Sequence, residues 1–184
     1  FWRKNPNYAR AGGVYALCYF AMLAVNHNAA VNAYLANVPE HHEHSAQKTV
    51  RVMPVLFHPF SYRGVYRHEG RIYISTLYAP VFGQTEISHH GRVPHATPND
   101  IKKQTGATAK LTKHLSDYWW FADGFVGVYQ QNPMILADYR YGNFGNPLTP
   151  LWGIRLDVTG QIATPVNLRT KVPPKPKPTK ETDA

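Results

Sequence analysis

The run "VRVMPVLFHPFSYRGVYRHEGRIYISTLY" (50–78) decides how this chain folds. β-Branched and aromatic residues crowd three segments, "TVRVMPVLF" (49–57), "FSYRGVYR" (60–67) and "RIYISTLY" (71–78), as strands require. "HEG" (68–70) is the right length for a hairpin between the last two. An antiparallel sheet is therefore expected here.

Downstream, residues 79–106 carry Pro80, Gly83, Gly91, Pro94, Pro98 and Gly106 and read as loop with at most one short strand. In "TAKLTKHLSDYWWFAD" (108–123) the period changes. Leu111, Leu115, Tyr118 or Trp119, and Ala122 recur at three- and four-residue steps, which predicts an amphipathic helix closed by Asp123-Gly124. "GFVGVYQQ" (124–131) and "MILADYRYG" (134–142) then read as strands across Asn132-Pro133, and "LWGIRLDV" (151–158) as another. "GQIATPV" (160–166) adds an edge strand, because Pro165 excludes a central place. The expected class is α+β: an antiparallel sheet domain (49–168) with one packed helix.

Upstream, residues 11–38 contain no Asp, Glu, Lys or Arg. "AGGVYALCYFAMLAV" (11–25) is almost wholly apolar, whereas "NHNAAVNAYLANV" (26–38) is mixed. A bilayer span takes about 20 apolar residues, so the clean part is short for one. Trp2 and Tyr8, with Arg3, Lys4 and Arg10, supply interfacial aromatics and a basic flank. Two readings follow: the end of a transmembrane helix, or a buried or amphipathic soluble helix. If the segment spans, the basic flank favours the cytoplasm and puts the bulk of the chain outside. The first residue is Phe1 rather than Met, which suggests a fragment or a processed product. Pro39 ends the helix (1–38), "EHHEHSAQK" makes 39–48 a His-rich linker, and the Pro/Lys-rich tail 169–184 is expected to be disordered.

The net charge of +9 invites a nucleic-acid reading. Three basic residues lie in the N-terminal flank and five in the tail (Arg169, Lys171, Lys175, Lys177, Lys180), residues 45–168 carry only +5, and no compact basic and aromatic cluster stands out. No nucleic-acid partner is expected. Cys18 is the single cysteine, which rules out an intrachain disulfide, and it lies in the apolar helix, where a thiolate is disfavoured.

Three groups of residues invite chemistry. His41, His42 and His44 are candidate metal ligands, set against the alternative of a solvated linker; zinc-binding helices place histidines at i and i+4, and this spacing after Pro39 does not. His89, His90 and His95 form a second cluster without a carboxylate or cysteine at ligand spacing, and His58 reads as structural. Asp138 and Arg140 stand two apart on one face of a strand and are the candidate catalytic pair, set against a charge pair on a solvated face. Neither a GxSxG motif nor a phosphate-binding loop is present. A binding-module reading places Tyr62, Arg63, Tyr66 and Tyr73 on a sheet face that contacts a partner or an anionic lipid surface.

"WWFADGFVGVYQQNPMILADYRYG" followed by "LWGIRLDV" resembles the C-terminal part of the YdjM-like (LexA-regulated) bacterial inner-membrane proteins, a family of metal-dependent hydrolases. The proline-bearing strand, aromatic-proline turn and hairpin of 50–78 are similar to that family's earlier pattern, and Tyr19 and His27 stand where its last hydrophobic helix carries a tyrosine and a histidine. The resemblance covers roughly residues 8–158. It implies a C-terminal accessory domain on one face of the inner membrane, with the lipid bilayer and its own membrane domain as partners. It also implies a divalent metal held by histidines and aspartates of a membrane-embedded N-terminal half. Those motifs are not in this sequence, so no cofactor is expected within the chain and no ligand carries over.

Overall fold

The computed structural model describes residues 6–38, 50–56, 58–106, 109–143, 145–156 and 163–168. It is α+β, and among the described residues it has three helices and two four-stranded antiparallel sheets in four layers. The first element is α1 (Pro6–Asn37), which starts on a proline and stops two residues short of another. Strands β1 (Val50–Val55), β2 (His58–His68), β3 (Arg71–Tyr78) and β4 (Glu86–Pro94) form the first sheet as a meander. Helices α2 (Pro98–Thr105) and α3 (Ala109–Phe121) follow. Strands β5 (Val126–Gln130), β6 (Ile135–Asp138), β7 (Trp152–Leu156) and β8 (Ala163–Asn167) make the second sheet, also a meander.

Alternation along the strands sorts the layers. On β2, Tyr62 belongs with Ala30 and Tyr34 of α1, while Val65 packs with Phe125, just before β5, and with Ile135 and Ala137 of the second sheet. On β6, Leu136 turns the other way and joins Ile101, Leu111, Leu115 and Trp119 of α2 and α3. Both sheets are thus covered on two faces, which is why β6 is buried at every position. The β2–β3 turn carries Glu69 at φ 45° and Gly70 at φ 68°, the two positive values that a type I′ hairpin needs.

Most expected elements are present, including the edge place of β8 with its Pro165 and the buried stripe Leu111, Leu115, Trp119, Ala122. Three expectations are corrected. The strands make two sheets rather than one. Two helices, α2 and α3, pack on the second sheet rather than one. The segment 79–106, expected to be loop with at most one short strand, holds a nine-residue strand and a helix. β4 is exposed at almost every position, so it carries no apolar period to read. α2 starts at Pro98, a residue that by itself suits a loop equally well. Proline is suited to the first helical turn, and Thr97 and Asp100 close a capping box around it.

Candidate functional site

Asp138 is the last residue of β6, and Arg140 follows in the turn. Arg140 Nε lies 3.1 and 3.2 Å from the two Asp138 oxygens, its Nη2 donates to Oδ2 at 2.8 Å, and its backbone N–H to Oδ1 at 3.0 Å. Nη2 also reaches the Phe121 carbonyl at 2.6 Å, which ties β6 to the end of α3. The Asp138 carboxylate is completely buried, so the pair does not sit on a solvated face. Burial pulls the Arg140 guanidinium down, but the Asp138 carboxylate more than offsets this and holds it above the ordinary arginine value. A carboxylate chelated by its own neighbour and closed off from water is built as a clamp, and as folded it offers no open lone pair to a substrate.

Arg63 belongs to the same buried region. Its Nε donates to the Tyr139 carbonyl at 3.0 Å, its guanidinium lies against Gly142, and Nη2 has no hydrogen-bond partner. Burial lowers it to about 10, against the opposing pull of Asp138, so it stays charged at neutral pH. The Asp138 charge thus bears on Arg63 as well as holding Arg140. Outside the clamp, Arg140 lies over the rings of Phe121 and Tyr141, and Trp152 sits 5.3 Å from the Tyr141 centroid. This makes an exposed aromatic rim around the clamp.

The histidines separate. His41, His42 and His44 lie outside the described residues. His89 Nδ1 is 3.0 Å from Ser75 Oγ, which also receives the Tyr34 hydroxyl at 3.4 Å, and His90 Nε2 bonds Thr76 Oγ1. His95 Nε2 reaches the Gly124 carbonyl at 2.8 Å. The Ser75–His89 pair has the chemistry of a nucleophile and base. Ser75 is buried beneath α1, however, and no substrate reaches its hydroxyl. Burial lowers His90 and His95, with Arg63 acting the same way on His90 and Arg67 on His95. Among the described residues no group of three His, Cys, Asp or Glu converges. Cys18 is exposed on α1, and His58 is exposed at the start of β2.

Sequence reading missed the junction between α1 and the first sheet. Asn26, Ala30, Tyr34 and Val38 fall every fourth residue and are buried. Asn26 Nδ2 donates to the Tyr62 hydroxyl at 3.1 Å, and the Tyr34 ring covers Gly64. The available signal was Gly64 inside a strand, which often marks a close approach. The sheet face proposed for binding is thus occupied by α1: Tyr62 is buried, Tyr66 stacks on Tyr73 at 4.6 Å, and Arg63 is on the opposite face. Beside the junction a cleft of about 470 Å³ opens between α1 and the β1–β2 connection, lined by Tyr19, Leu23, His27, Leu56, His58 and Tyr62 among others. N-terminal to it, α1 exposes Val14, Tyr15, Leu17 and Phe20, and this helix is long and apolar enough to cross a membrane. No protein-family model, curated protein or solved structure matches the chain.

Proposed function

We propose that this chain is a membrane-anchored accessory domain. α1 enters the bilayer with its apolar half and holds the two-sheet domain against the membrane surface. The carrying observation is the division of labour along one continuous helix. Its mixed half, from Asn26 to Val38, is bonded and packed onto the first sheet, while most of its apolar half is left uncovered by the described residues. A soluble helix would bury the apolar half instead. Residues 7–25 rise about 28 Å, close to the roughly 30 Å of a hydrocarbon core, and Arg10 at the outer end can extend to the headgroups.

The resemblance to YdjM-like proteins gives this anchor a setting: the accessory domain of an inner-membrane metal-dependent hydrolase whose metal is held by residues not in this chain. The buried clamp, the covered sheet face and the enclosed Ser75 all support an assisting rather than a catalytic part. Flotation of the purified chain with phosphatidylcholine vesicles tests the anchor. The chain should float and resist carbonate extraction. Phe20→Asp with Leu17→Asp should abolish flotation, since each buried acid costs about 2.5–3.5 kcal/mol, while leaving the domain's thermal transition in place. Failure of the parent chain to float would overturn the anchor. Stoichiometric metal on the purified chain, removable by substituting its own histidines, would overturn the accessory reading.

A further inference from the structure

The geometry points to a second membrane contact: the end of the first sheet that carries the β1–β2 turn and the 79–85 loop rests in the interfacial layer of the bilayer, with Leu56 and Phe82 inserted. This deepens the anchoring reading and rests on it. The cleft sets the level, because Tyr19 and Leu23 of α1 line it together with Leu56 and His58. If the apolar half of α1 is immersed as far as Val25, the β1–β2 turn lies at the depth of residues already inside the boundary. The loop 79–85 sits at the same end, since Tyr78 pairs with Ser61 and the Ala79 N–H donates to the Phe60 carbonyl at 2.8 Å.

The composition of the two ends agrees with that level. At the α1 end Leu56 is 72% exposed and Phe82 92%, with Tyr78 and Val81 exposed beside them. At the opposite end the β2–β3 turn carries His68, Glu69 and Arg71. Glu86 is the acidic residue at the apolar end, and it stands exposed on the edge strand. Within the first sheet, large apolar side chains left in water at this end mark a contact surface. The occupant is the lipid surface rather than a protein, because the patch continues directly into the uncovered half of α1. Tyrosine at this depth is also the residue that favours the headgroup boundary.

The test uses the full chain in phosphatidylcholine vesicles, with Cys18→Ser as background and one fluorophore at Val14→Cys, Leu56→Cys, Phe82→Cys or Ser116→Cys. Ser116 is exposed on α3, away from the contact. Nitroxides placed near the headgroups or deep in the acyl chains report depth. Headgroup nitroxides should quench the probes at 56 and 82 about twofold or more above the probe at 116, and deep nitroxides should quench the probe at 14. A deep probe at 14 with probes at 56 and 82 as aqueous as 116 would overturn the second contact and leave the anchor standing. An aqueous probe at 14 would overturn the anchor and this contact with it. All four substituted positions are exposed, so a shared thermal transition checks that each variant is folded.

Discussion

The ring of Tyr34 lies on the backbone of Gly64: a methyl group built at Gly64 would stand 2.5 Å from Tyr34 Cζ. Tyr34 is almost fully enclosed there, and burial pushes its hydroxyl well above the ordinary tyrosine range. One glycine in β2 thus sets how closely α1 approaches the sheet, and with it the direction in which the apolar half leaves the domain.

Gly64→Ala should destabilise the chain by about 1–3 kcal/mol, the usual cost of overpacking, because the ring has no free side to move into. In a Tyr34→Ala background the same substitution should cost much less, since the ring it collides with is gone. Urea denaturation of the four proteins in this cycle measures the coupling. Equal costs in both backgrounds would mean that the close approach is not what Gly64 provides.

Asp138→Asn keeps the shape of the clamp and removes its charge, leaving the Arg140 guanidinium without its carboxylate and Arg63 without the Asp138 charge that opposes its desolvation. Breaking a buried pair in this way costs about 3–5 kcal/mol. Adding Arg140→Met to Asp138→Asn should recover part of the loss by removing one of the uncompensated cations. A single-variant loss under about 1 kcal/mol would show that water reaches the clamp.

Acidification should weaken the fold through His95. Burial is the chief cause of its lowering from 6.5, with Arg67 acting in the same sense and the Gly124 carbonyl and Asp100 opposing it. The folded chain therefore prefers neutral His95, and the unfolded chain takes up the proton first. This contribution is complete above pH 6.5 and is lost as pH falls from there through the lowered folded-state value. His90 is shifted the same way and adds to the slope. His95→Gln should flatten the stability–pH profile below 6.5, read from denaturation midpoints, whereas an unchanged slope would assign the loss to other groups.

Thr97→Ala removes the cap of α2, where the Thr97 hydroxyl receives the Asp100 N–H at 3.2 Å. The expected loss is about 1 kcal/mol, and Thr97→Ser should retain most of the stability. A Thr97→Ala protein with an unchanged transition would mean that α2 is held by the burial of Ile101 alone.

The strands of 50–78, the amphipathic helix α3, the edge place of β8 and the apolar character of α1 were all legible in the sequence, because each rests on local periodicity or on a single residue's backbone limits. Leu111, Leu115 and Trp119 announce their shared face by spacing, and Pro165 announces an edge by lacking a donor. β4 and α2 were not legible, since β4 lacks an apolar period and Pro98 serves equally well in a loop or at the start of a helix. Asp138 and Arg140 could be named from the sequence as a pair, but their burial depends on two sheets and α3 closing around them. The same holds for Asn26 with Tyr62 and Tyr34 with Gly64, which lie 36 and 30 residues apart. Spacing within one element determines which side chains share a face. Which face is covered, and which charge is shut away from water, is decided only when distant elements meet and exclude solvent between them.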